Sequence, residues 1–386
     1  MIDTLVLEYT FQNYTFYESC YYNINVIARK LDKKHGSLHK RKSKEFKQKA
    51  YTTFAFSELG WRETMFYQSK HGSSIRIIVK PLRMMQQKCD LYLSKSSDYT
   101  KFEEEFNIVV AMLNKIAEYK MLPHLNEWRV TRIDYAVDFH TPFVNLYIDL
   151  FKCGYIPKGF HKLSESYPTS LYLISKGATI NFYDKIAQIK QSKGYSDKDI
   201  INELGYKPEG ILRLEVQCKP RIIAAIRQKY SITDHSLKSL WNPDIAAYVI
   251  KSKISSIIGK NNFFSSDIYF EYIKEKFPRH GFSKPYFGVG VTLLAQASKF
   301  KTLQAINELL KSSGKQVQAK YCTAISRIQK TNLNIIPLDC AKGSDELLQL
   351  VNPYKLIEPL IAKENGSHES ALIENHFKYK EITDVY

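Results

Sequence analysis

Along VTRIDYAVDFHTP, residues 130–142, the apolar residues Val130, Ile133, Tyr135, Val137 and Phe139 recur at alternate or near-alternate places. Arg132, Asp134 and Asp138 take the other parity. That pattern predicts a strand with one face in a core and one face carrying a cation and two carboxylates. Similar alternation predicts strands in MIDTLVLEYT (Leu5, Leu7, Tyr9) and in SSIRIIVKP (Ile75, Ile77, Val79), the latter closed by Pro81. In ILRLEVQCK, Leu212, Leu214 and Val216 oppose Arg213, Glu215, Gln217 and Lys219. The segment SLYLISKGATINFYDKIAQIKQS predicts two short strands across a Lys176-Gly177 turn, the second running directly into a helix that opens with DKIA.

Helical spacing replaces alternation elsewhere. Phe106, Val109, Val110, Leu113, Ile116 and Ala117 predict a helix, with acids clustered in its first turn and Pro123 beyond its end. FVNLYIDLFKCG predicts another, and SKGYSDKDIINELGYKPEG reads as a polar link. From about residue 222 the pattern becomes helices with short connections. Residues 298–330 suggest two helices around Ser312, Ser313 and Gly314, compatible with a helix-turn-helix or with an ordinary helical hairpin. The stretch after Lys363 is polar and reads as a loose tail.

Composition narrows the function classes. Lys plus Arg number 56 against 39 Asp plus Glu, a net charge of +17 over 386 residues. Such an excess favours a polyanionic partner, most often nucleic acid. About half of residues 29–49 are cationic, including Lys40, Arg41 and Lys42, which predicts a solvated arm or loop able to lie on phosphates. His35 and His39 within it flank a Gly-Ser turn, a poor setting for a metal. The 27 tyrosines and 21 phenylalanines offer stacking partners for unpaired bases, although core packing is their commoner use. No apolar run approaches the ~18 residues of a membrane span, and the first residues lack a basic region before an apolar one. Six cysteines are scattered without a CxxC pair, which suits reduced thiols and predicts a cytoplasmic protein.

Two constellations could carry chemistry. Tyr183 ends a predicted strand just before a helix, where backbone N–H groups favour a phosphate, and Lys185 follows in the first turn. A phenol is a weak nucleophile at its free pKa and needs such help. An ordinary core tyrosine has the same signature. Asp134, Asp138 and Glu215 come from two strand faces that also hold Arg132, Arg213 and Lys219. Three such carboxylates suit one hard divalent cation, Mg²⁺ or Mn²⁺, and equally describe surface ion pairs. His140 continues the parity of Asp138.

MIDTLVL, IRIIVKPLRMMQ, VTRIDYAVDFHTP, TINFYDKIAQIKQ and GILRLEVQCK, in this order and approximate spacing, resemble the gene II replication proteins of filamentous phages and related replication initiators of phages and plasmids. LNIIPLD is a weaker echo. The resemblance covers roughly residues 1–220. It implies a site-specific endonuclease and strand transferase in which Tyr183 attacks an origin phosphodiester and stays joined to the 5′ phosphate. The family's acidic metal positions would fall on Asp134 and Glu215, with Asp138 a less fixed member. Wider relatives hold metal with a His-hydrophobe-His pair, which this chain lacks.

The expectation is therefore an α+β protein. A mostly antiparallel catalytic domain at 1–221, with its basic arm at 29–49, precedes a helical region at 222–362 for origin recognition or dimer contacts and a tail at 363–386. Its partners would be single-stranded or supercoiled origin DNA, touched by Arg132, Arg213, Lys176, Lys219, Lys40, Arg41 and Lys42, and the host replication machinery; no membrane is involved. Two other readings are a non-enzymatic DNA-binding regulator and a metal-dependent nuclease that activates water.

Overall fold

The computed structural model describes residues 1–32, 37–40, 49–69, 72–85, 91–119, 121–162 and 168–268, then 336–344 and 347–364 with a few isolated positions. The elements run β1 (Ile2–Thr10), α1 (Tyr14–Leu31), β2 (His39–Lys40), β3 (Lys49–Thr53), β4 (Trp61–Ser69) and β5 (Gly72–Val79). Next come α2 (Pro81–Met84), α3 (Tyr99–Ile116), β6 (Arg129–His140), α4 (Val144–Cys153), β7 (His161–Lys162) and β8 (Ser170–Ile174). They continue with β9 (Ala178–Asp184), α5 (Lys185–Lys193), α6 (Asp197–Leu204), β10 (Ile211–Cys218), α7 (Pro220–Lys229) and α8 (Pro243–Ile258). β11 (Phe263–Phe264), β12 (Gln349–Leu350) and α9 (Ile357–Glu364) complete the described set.

Ten strands are hydrogen-bonded in the order β2-β3-β4-β5-β1-β6-β10-β9-β8-β7, while β11 and β12 pair separately. The pairings β1–β5, β1–β6, β2–β3, β3–β4, β4–β5 and β7–β8 are all antiparallel. The fold is thus a mixture of helices with a large antiparallel sheet, an α+β arrangement. Most of the expected helix pair at 298–330, the tail from 365, Arg41 and Lys42 lie outside the described residues. Among the described residues no helix is long and apolar enough to cross a membrane.

The chain divides into two compact units. Unit 1 holds residues 1–137, 175–179 and 215–250; unit 2 holds 138–174, 180–214 and 251–386. In unit 1, Leu5, Leu7, Ile75, Ile77 and Val79 are fully buried. Leu5 pairs with Val79, Leu7 with Ile77 and Tyr9 with Ile75, so these residues share one sheet face. Helix α1 packs its Tyr17 against Phe66 of β4, with ring centroids 5.9 Å apart. Trp61 and Trp128 meet Phe106 of α3 at 5.7 Å each, closing an aromatic core.

The pairing of β6 with β1 explains why the alternation in VTRIDY is imperfect. Leu5 faces Ile133 and Val6 faces Arg132, but Leu7 faces Val130, so the register shifts by one residue. Thr131 is the extra residue, and its Oγ1 donates to the Val6 carbonyl at 3.2 Å. This bulge returns Val130 to the apolar face despite its even number, leaving Arg132 and Asp134 on the polar face. A second shift falls between Ile2 and Thr4, at Asp3.

In unit 2, Phe182 of β9 packs on Phe151 of α4 with centroids 4.8 Å apart. Thr141 N–H donates to the Gly210 carbonyl at 3.1 Å, tying the end of β6 to the start of β10. Two expectations are corrected. The basic block at 29–49 is not loop throughout: α1 extends to Leu31, and His39 and Lys40 form β2 against Thr52 and Tyr51. The polar link at 192–210 contains α6, started by a capping box in which Ser196 and Asp199 satisfy each other's backbone.

Candidate active site

Unit 1 carries the first group of charged side chains. The Asp134 side chain is wholly buried and is held by Arg132 through two bonds, Nε to Oδ1 at 2.7 Å and Nη2 to Oδ2 at 2.5 Å. Burial raises the Asp134 carboxyl above the ordinary carboxylate range; Arg132 opposes the shift, while Glu215 and Asp3 reinforce it. Those couplings place three acids and one guanidinium within electrostatic reach of each other. Glu215, on β10, is 5% exposed and accepts a hydrogen bond from Gln217 Nε2 at 3.0 Å. Lys219 donates from Nζ to the Ser175 carbonyl at 3.1 Å, and its pKa is lowered by burial and then by Arg132. Lys176 is exposed at the turn between β8 and β9, and Lys40 is exposed on β2.

Unit 2 carries the second group. Arg213 has no exposed surface, and its Nε and Nη2 each donate to an Asp138 oxygen at 2.7 Å. The Asp138 side chain is 12% exposed. Asp138 was expected beside a metal and Arg213 beside DNA; the structure instead joins them as a two-pronged ion pair. His140 Nδ1 lies 3.1 Å from the Tyr206 hydroxyl, and burial lowers its pKa.

Tyr183 lies near the end of β9, two residues before the start of α5, as the sequence predicts. The residue is buried, at 7% exposure. Lys185 is buried, with Nζ 5.9 Å from the Tyr183 ring centroid and donating to Gln188 Oε1 at 3.0 Å. At the helix start, Asp184 Oδ1 accepts from Ala187 N–H at 3.0 Å. A carboxylate of the chain itself therefore takes one of the amides expected to receive a phosphate.

Among the described residues, no set of three or more His, Cys, Asp or Glu side chains stands together as a metal site. The donor set in unit 1 is the pair Asp134 and Glu215. Small hard cations commonly use one or two carboxylates and complete their shell with water and substrate phosphate. The pair has the donor chemistry for such an ion, although Arg132, bonded to Asp134, now fills the role of counter-ion. Gln217 and Asp3 were not singled out from sequence. Gln217 has the parity of Glu215, which is a usable signal; the nearness of Asp3 depends on a strand irregularity that no local pattern encodes.

No protein-family model matches the sequence, and neither does any curated protein. Among solved structures, the chain is similar to a rolling circle replication initiator protein from Geobacillus stearothermophilus, at 13% identity and a TM-score of 0.31, covering 67% of this chain and 84% of that one. It is also similar to the di-domain ARO/CYC protein StfQ from the steffimycin biosynthetic pathway, at 8% identity and a TM-score of 0.16, covering 66% and 99%. At these scores neither likeness decides fold or function.

Proposed function

We propose that this chain is a rolling-circle replication initiator that nicks one DNA strand by transesterification. The supporting observation is the buried pair of mutually coupled carboxylates, Asp134 and Glu215, held on the polar sheet face with Arg132 as counter-ion. The ordered sequence resemblance gives that pair its chemical context. In this reading Asp134 and Glu215 would hold a divalent cation, which when bound would supply polarisation of the scissile phosphodiester and offset charge in its transition state. The Tyr183 oxygen attacks phosphorus; a P–O bond to tyrosine forms as the bond to the 3′ oxygen breaks. The product 3′-OH is left to prime synthesis, and the phosphotyrosine retains the bond energy for rejoining.

Lys185, close to the Tyr183 ring, assists ionisation of the phenol. Arg132, Lys219, Lys176 and Lys40 are the proposed phosphate contacts, joined by Arg41 and Lys42. Asp138 and Arg213 are read as a structural pair.

The test is incubation with Mn²⁺ and a pool of single-stranded oligonucleotides, followed by denaturing electrophoresis and mass mapping of any nucleotide-bearing residue. The expected outcome is a covalent adduct on Tyr183. Tyr183→Phe is expected to bind the same DNA and form none. Cleavage without an adduct, undiminished in that variant, would establish the water-activating nuclease instead; binding with no cleavage would establish the regulator.

A further inference from the structure

We infer that Arg132 is an exchangeable counter-ion: it occupies the carboxylate site while no metal is bound, and it passes to a DNA phosphate when the metal enters. The inference rests on the proposed function and adds a coupling between metal and DNA that the function alone does not contain.

Both oxygens of Asp134 are engaged by one guanidinium, at 2.7 and 2.5 Å. Since the Asp134 side chain is fully buried, a cation on either oxygen would lie against the guanidinium with little water between them, so the ion and Arg132 compete for this carboxylate. The bond therefore opposes metal binding by the strength of a charge-assisted contact, which is greater than that of a neutral one. The Arg132 side chain, by contrast, is 29% exposed. It is anchored at a strand backbone and part of the side chain reaches solvent, so it has room to move.

Where it goes is set by charge. Lys219 is near enough for Arg132 to lower its pKa, and a divalent ion on Asp134 and Glu215 would add a second repulsion. A guanidinium released there needs an anion, and the two non-bridging oxygens of a phosphodiester can accept the two-pronged contact that it gives up. Metal and strand then favour each other: the ion frees Arg132 for a phosphate, and the phosphate removes the competitor for Asp134. Linkage makes the effect reciprocal.

The experiment is a Mn²⁺ titration followed by electron paramagnetic resonance at one fixed, mildly alkaline pH. It uses the full chain, with and without a short oligothymidylate. Wild type is expected to bind Mn²⁺ weakly alone and more tightly with the oligonucleotide. Arg132→Gln is expected to bind Mn²⁺ about tenfold tighter than wild type without DNA, the scale of one lost charge-assisted contact, and to gain nothing from the oligonucleotide. Arg132→Lys, which keeps the charge but not the two-pronged geometry, should fall between them and stands in if the Gln variant does not fold. Unchanged or weaker Mn²⁺ binding in the variants, or an oligonucleotide effect that survives in them, overturns the exchange. Its failure is separable from that of the proposed function. A Tyr183 adduct with equal Mn²⁺ affinities sinks the exchange alone, and the affinity pattern without an adduct sinks the nicking reaction alone.

Discussion

At the scale of single residues, parity identifies which charged side chains share a strand face but not which of them bond. Arg132, Asp134 and Asp138 could be assigned to one face from the sequence, and Arg213, Glu215 and Lys219 to another. That Arg213 would pair with Asp138 and Arg132 with Asp134 depends on cross-strand register and on local side-chain geometry, which no spacing rule supplies. Burial of Arg213 has a measurable consequence. Arg213→Met leaves the nearly buried Asp138 carboxylate without its partner and should lower unfolding stability by about 3–5 kcal/mol, the usual cost of breaking a buried ion pair. Adding Asp138→Leu should recover most of that loss in urea denaturation. If the single variant is as stable as wild type, the pair is not holding the sheet.

At the scale of elements, the sequence was informative wherever one face of an element was consistently apolar. β1, β5, β6 and β10, helices α3 and α4, and the turn joining β8 to β9 follow the predicted segments. α1 was not foreseen. Its buried stripe of Tyr17, Cys20, Ile24, Ile27 and Ala28 is helical in spacing, but surrounding tyrosines and the basic residues that follow blur it. β4 was missed because Thr64 is buried beside Phe66 and polar residues interrupt its alternation. α6 was missed because only Ile200 of its eight residues is buried, although its capping box was present to be read. The junction between β6 and β10 offers a test at this scale. A Cβ on Gly210 would lie 2.6 Å from the Thr141 carbonyl oxygen and 2.8 Å from Val144 Cγ2. Because one of these atoms is backbone, Gly210→Ala must displace the strand end, at a cost of about 1–3 kcal/mol. Thermal unfolding of this variant should show the loss, whereas Gly194→Ala should not clash, since nothing lies within 4 Å of its added Cβ; only its left-handed φ of 68° resists.

At the scale of the molecule, the net charge of +17 is the property most directly tied to a polyanionic partner. If four to eight phosphates are neutralised, the logarithm of the affinity for single-stranded DNA should fall with the logarithm of salt concentration at a slope of about −3 to −6. Fluorescence anisotropy across a salt series measures it. A slope near zero would mean that the lysines and arginines only keep the protein dissolved.

The single surplus residue in β6 is one the strand could lose without losing its phase. Delete Thr131 and Val130 follows directly before Arg132, so Val130 still faces Leu7, Arg129 still faces Glu8, and the alternation becomes regular. What disappears is the Thr131 hydroxyl bond to the Val6 carbonyl and the extra local twist of the bulge. A one-codon deletion at this point should therefore be tolerated better than one elsewhere on the same strand, where every side chain on one side of the cut would change face.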